Sequence, residues 1–91
     1  MNPVRNLWYV YVLESAKDKH WYTGYTNNLN ERIIEHNSGK VYATKSRQPL
    51  ISIYCEISLN KYDAYRREKY LKSGMGKRYI SNRLKNYFNK K

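Results

Sequence analysis

One cysteine, two prolines, four glycines and a single phenylalanine are all that these 91 residues contain of those types. Cys55 alone cannot close an internal disulfide, and no CxxC spacing exists to hold zinc or run a redox cycle, so a reducing compartment is expected. Acids are scarce too: seven Asp and Glu stand against eighteen Lys and Arg, a formal net charge of +11. No run approaches the ~18 apolar residues that a membrane span needs, and Met1 to Leu7 lack the apolar stretch of a secretory signal. The expectation is a cytoplasmic chain with no membrane partner.

What is present is globular in kind. Hydrophobic residues at 41% and aromatics at 15%, eleven of them Tyr, are too many for a disordered chain. The length suits one domain over residues 1–91, expected to act as a monomer, since a second domain would have almost no core. The charge is uneven. Residues 61–91 carry eleven of the bases against Asp63 and Glu68, a net of +9, whereas residues 1–60 carry seven bases and five acids, a net of +2. With tyrosines interleaved among those bases, a polyanionic partner, nucleic acid, is a better reading than a merely solvated helix face.

Leu7 to Leu13 is β-branched and aromatic on both alternating faces, the pattern of a central strand. A polar turn at Ser15–Lys19 leads to a second strand, His20–Thr26, and the short connection predicts an antiparallel hairpin. Asn28 reads as the cap of a first helix beginning near Leu29, with Glu31 in the capping-box position and Gly39 at its end. Gly39–Pro49 is polar and basic, an exposed loop carrying Lys40, Lys45 and Arg47. Leu50–Ile57 is the third strand. From Asn60 the period turns helical, with Ala64, Glu68, Leu71 and Met75 on one stripe, and after Gly74 and Gly76 a last helix from about Lys77 presents Ile80, Leu84 and Phe88. The expected fold is α/β: a three-stranded, mainly antiparallel sheet flanked by helices, in the order β-β-α-β-α-α.

Three residues stand out against that frame. On a helical wheel Arg32 and His36 fall within about 60° of Leu29, on the margin of the face that meets the sheet, while Glu31 and Glu35 point nearly opposite. Glu68 lies on a buried stripe, where an unpaired carboxylate would cost several kcal/mol, so it must hold either a cation partner, such as an arginine, or a metal. Tyr11 and Tyr22, on adjacent strands, add hydroxyls nearby. His20 and Cys55, with His36, make no zinc-ligand pattern and are read as structural.

Val10-Tyr11-Val12 and Tyr22-Thr23-Gly24, with the tyrosines eleven apart, resemble the two strand motifs of the GIY-YIG nuclease superfamily. Arg32 ten residues after Tyr22, His36 four further on and Glu68 on a later helix follow the same order. The stretch from Asp63 through Ser73-Gly74-Met75-Gly76-Lys77 is similar to the small stand-alone bacterial members. The first motif lacks the family's glycine and carries Val10, and Thr23 stands for isoleucine; both are strand positions that suit β-branched residues. Gly24 belongs to the second motif, and Asn82, in competition with Asn86, falls near the family's late asparagine.

The resemblance implies phosphodiester hydrolysis in DNA, with RNA left open, assisted by one Mg²⁺ or Mn²⁺ on Glu68. A hard cation that keeps its waters can be held by one carboxylate when phosphate oxygen supplies another ligand. Arg32 would neutralise a non-bridging oxygen, Tyr11 or Tyr22 would help deprotonate the attacking water, and His36 would position or assist. Lys40, Lys45, Arg47, Arg67 and Lys72 are expected to contact the nucleic acid. The competing reading is a basic module that binds nucleic acid without cutting it. It explains the charge equally well, but not Glu68 or the Arg32–His36 pair.

Overall fold

In a computed structural model, which describes residues 6–89, the chain runs β1 (Trp8–Ser15), β2 (Trp21–Thr26), α1 (Leu29–His36), β3 (Leu50–Ser58), α2 (Lys61–Lys72), α3 (Gly74–Arg83) and a short α4 (Lys85–Phe88). Lys90 and Lys91, two of the C-terminal bases, lie outside the described residues. The strands form one antiparallel sheet in the order β2-β1-β3. The strand that is apolar on both faces is indeed the central one, because only a strand covered on both sides buries both of its alternating sets.

Those two sets build two separate cores. Tyr11, Leu13 and Leu50 pack on one face of the sheet with Leu29 and Ile33 of α1. Val10 and Val12 pack on the other with Ala64, Leu71 and Ile80, from α2 and α3. Pairing sets Tyr11 opposite Gly24 and Leu13 opposite Tyr22, while Val10 faces Tyr25. On the β3 side the register shifts between Val12 and Leu13.

Helix α1 starts as expected, Asn28 Oδ1 accepting from Glu31 N at 3.1 Å. The return half of a capping box is replaced, since the Asn28 amide donates to Thr26 Oγ1 instead. The helix stops at His36, ahead of Gly39. Asn37 leaves it to make paired bonds with the start of β3: its Nδ2 donates to Leu50 O at 2.9 Å and its Oδ1 accepts from Leu50 N at 2.7 Å. Gly39 follows at φ 79°, where glycine carries no steric penalty.

The stripe expected to end at Met75 ends at Leu71, and Met75 is 64% exposed. Ser73 closes α2 and caps α3, its Oγ accepting from Gly76 N at 3.2 Å. The turn there resets the helical phase, so Gly76, not Met75, faces inward. A Cβ on Gly76 would overlap the Tyr70 carbonyl and the Leu71 backbone, which explains why a glycine stands where the two helices touch. Ile80 is buried and Leu84 packs beside it, as the sequence pattern requires. Phe88 is partly exposed and stacks on Trp21, centroids 5.6 Å apart.

Candidate functional site

An open cleft of about 930 Å³ follows the free edge of β2. Residues 21–27 line it along the strand, and side chains enter it from both sides of the sheet: Arg32, Glu35 and His36 from α1, and Lys61, Glu68 and Lys72 from α2. Tyr11, Tyr22, Gly24, Arg32, His36 and Glu68 therefore line one cleft, although they come from four elements.

The arrangement is tightest around Tyr11. Its ring lies across the backbone of Gly24 so closely that a Cβ there would sit 2.7 Å from Tyr11 Cζ. The glycine of the second strand motif is thus the floor on which the tyrosine of the first rests. Tyr11 Oη lies 3.1 Å from His36 Nε2, and the opposite nitrogen, Nδ1, lies 2.8 Å from Thr44 Oγ1. His36 is only 4% exposed and Thr44 1%. Burial, reinforced by the nearby Arg32 charge and opposed by Glu35, pulls the His36 pKa below its ordinary value, so the imidazole is neutral at pH 7.

Arg32 is fixed from two sides. Its guanidinium is held more firmly charged than usual by the Tyr11 hydroxyl and then by Glu35. Its NH1 donates to Glu35 Oε1 at 2.9 Å. Glu35, expected to point away from the sheet, reaches round to the cleft because residues three apart on a helix are near neighbours.

Thr44 sits in the loop expected to be exposed throughout. The buried Ser15 anchors that loop: its Oγ donates to Arg47 O at 2.7 Å and accepts from the amides of Lys17 and Asp18. Arg47 N in turn donates to Thr44 O at 2.8 Å. The β1–β2 turn thereby sets the position of the hydroxyl that orients His36.

Glu68 is recessed, 14% exposed, and its partner is a lysine rather than an arginine: Lys72 Nζ lies 3.1 Å from its carboxylate. Among the described residues no three His, Cys, Asp or Glu side chains gather into an all-protein metal cage. The donor set fits a hard cation that retains water and borrows substrate oxygen. Glu68 supplies one carboxylate, and the Lys72 side chain facing it is 56% exposed and free to move aside.

The other expected contacts divide. Lys72 lines the cleft, joined by two lysines that the sequence pattern did not single out, Lys61 and Lys77. Lys40 and Lys45 are exposed on the neighbouring loop. Arg47 is tied to Asp18 at 3.1 Å. Arg67 lies away from the cleft, its Nε donating to Glu56 Oε2 at 2.7 Å while its plane covers Tyr70 and Tyr79. Asn82 and Asn86 are exposed, and neither lines the cleft. Thr44, Glu35, Lys61 and Lys77 escaped sequence reasoning; a threonine in a polar loop gives no signal of burial.

A fold of this order, with a tyrosine on each of two paired strands, an Arg–His pair on the first helix and a recessed glutamate on a later one, matches the family model described as the GIY-YIG catalytic domain over residues 7–80. The chain belongs to the GIY-YIG family, a nuclease superfamily. It is 44% identical over 66 residues to a UPF0213 protein of Staphylococcus haemolyticus, covering 71% of this chain and 79% of that one. It is 46% identical over 65 residues to a UPF0213 protein of Clostridium perfringens, covering 70% and 69%. The solution NMR structure of a UPF0213 protein from Bacillus halodurans superposes with a TM-score of 0.52 at 35% identity, covering 84% of this chain and 83% of that one. No helix among the described residues is long and apolar enough to cross a membrane.

Proposed function

We propose that this protein is a divalent-metal-dependent endonuclease that hydrolyses phosphodiester bonds in DNA. The observation that carries this reading is the convergence on one cleft of a hydrogen-bonded Tyr11–His36 pair, the Arg32 guanidinium and the recessed Glu68. A cleft built for binding alone has no use for a buried neutral imidazole on a phenol, or for a carboxylate set among lysines.

Glu68 would hold Mg²⁺ or Mn²⁺, which when bound supplies Lewis-acid stabilisation of the charge developing on the phosphate and leaving oxygen. The Arg32 fork binds a non-bridging oxygen, a planar bidentate contact that lysine cannot copy. Tyr11 Oη accepts a proton from the attacking water as its own phenolic proton passes to His36 Nε2. This route uses the imidazole tautomer whose Nδ1–H donates to Thr44 Oγ1. His36 starts neutral, so the lone pair at Nε2 is available. Tyr22, which lines the same cleft, orients the water or the phosphate.

The test is cleavage of a panel of duplex, nicked, flapped and branched DNAs, and of RNA, by the purified chain with Mg²⁺ or Mn²⁺ and with EDTA. Glu68→Ala serves as the control. Cleavage should require metal and vanish in the variant, while DNA affinity stays similar or rises because an acid has left a cationic surface. A Glu68→Ala protein that cuts as well as wild type would remove the metal assignment, and no cleavage of any substrate would leave the binding module as the better reading.

A further inference from the structure

The hydrolytic residues leave one end of the cleft unexplained. Trp8 and Tyr25 line it, their ring centroids 5.9 Å apart, and Tyr65 meets Tyr25 edge-on at 6.0 Å. Two lysine ammonium groups lie over these rings: Lys61 is 5.5 Å from the Trp8 centroid and Lys69 is 4.9 Å from that of Tyr65. Both lysines are exposed. A ring face covered by a solvated, flexible cation is open to a flat ligand, because the ammonium can swing away at little cost and find an anion on that ligand.

The position of this cluster relative to Glu68 follows from helix geometry. Lys61, Tyr65, Glu68 and Lys72 fall within about 60° of one another around α2, and at about 1.5 Å per residue they span roughly 16 Å along its axis. One face of α2 therefore presents, in order, a cation, an aromatic ring, a carboxylate and another cation. The local acids do not oppose an anionic ligand. Asp63 points from the other side of the helix and is paired with Arg66 at 3.0 Å, and Glu68 is paired with Lys72.

We infer that Trp8, Tyr25 and Tyr65 form a stacking site for an unpaired nucleobase, with Lys61 and Lys69 taking the adjoining phosphates, so that the polynucleotide held in the cleft is single-stranded there. A base inside a duplex is already stacked on its neighbours and cannot offer its face to a side chain. An aromatic surface interleaved with cations therefore selects unpaired nucleotides. The inference rests on the nuclease reading only in taking the ligand to be a polynucleotide, and its test omits catalysis.

Binding is measured in EDTA with three probes of equal phosphate number: a short oligothymidylate, the same backbone without bases, and a blunt hairpin duplex. Trp8 fluorescence is followed in a Trp21→Phe background, with circular dichroism to confirm folding. Oligothymidylate should quench Trp8 and bind at least fivefold more tightly than the base-free backbone. Tyr65→Ala should weaken oligothymidylate binding by about 5- to 100-fold, the usual worth of one stacked base, while Tyr65→Phe retains it and duplex binding changes less than twofold. Equal affinity for the oligothymidylate and base-free chains, measured on unmutated Tyr65 protein, would overturn the proposal, as would equal losses for single strand and duplex. Stacking without cleavage in Mg²⁺ would sink the nuclease reading and leave this one standing.

Discussion

Tyr11 and His36 lie twenty-five residues apart in the chain and meet at 3.1 Å, phenol oxygen to imidazole Nε2, against a backbone glycine on one side and a buried threonine on the other. Tyr22 lines the same cleft and packs, half-buried, against the cluster of Tyr11, Leu13 and Leu50. The two tyrosines, equivalent in the sequence pattern, are therefore unequal in surroundings, and only Tyr11 has a proton acceptor beside it.

Tyr11→Phe keeps the ring and deletes only the hydroxyl. Single-turnover cleavage should fall by about 10²- to 10⁴-fold with unchanged DNA affinity, the range for a lost general base, and Tyr22→Phe should fall by less. Full activity in Tyr11→Phe would exclude the proton route through His36.

Thr44→Val preserves shape while removing the partner of His36 Nδ1. A buried polar atom left without its partner costs about 1–3 kcal/mol, which urea denaturation should register as a lower midpoint at unchanged slope. Cleavage should drop as well, with the substrate Kd unaffected, because the imidazole loses the bond that fixes its orientation.

The His36 pKa lies below its unfolded value of 6.5, so below that pH the unfolded chain binds a proton more readily than the folded one. The stability present above about pH 6.5 is therefore lost progressively as pH falls toward the folded-state pKa, and levels off beneath it. His36→Gln should flatten this part of a stability-against-pH curve; an unchanged curve would show that other groups cause it.

Gly24→Ala sets a methyl against the Tyr11 ring. Overpacking of this kind costs roughly 1–3 kcal/mol. A double-mutant cycle with Tyr11→Ala should show strong coupling, since removing the ring empties the space that the methyl needs. Additive losses would mean that the close approach seen here is not what demands glycine.

Salt dependence should report the cleft cations. With about four to six phosphates neutralised, log K should fall against log salt with a slope near −4 to −5. Lys72→Ala and Lys77→Ala should each reduce that slope by about 1. Arg67→Ala should leave it nearly unchanged and instead destabilise the fold by about 1 kcal/mol, because its guanidinium is engaged by Glu56, Tyr70 and Tyr79.

The sequence by itself determined the order of the three strands and three main helices, the central strand and the cap at Asn28, and it singled out Tyr11, Tyr22, Arg32, His36 and Glu68, which the fold brings to one cleft. Each was legible because it rests on local periodicity or on spacing within a motif, and alternation or a 3.6-residue repeat is written in neighbouring residues. Only the tertiary structure decided that Thr44 completes the His36 site, that Lys72 rather than an arginine holds Glu68, that Arg67 belongs to β3 and α3 rather than to the cleft, and that Met75 faces solvent. The Thr44 and Arg67 contacts depend on side chains brought together across loops from separate elements, whereas Glu68 and Lys72 are an i,i+4 pair within α2. The exposure of Met75 depends on a turn at Ser73 that resets the helical phase, a rotation no periodicity can carry past a break in the helix.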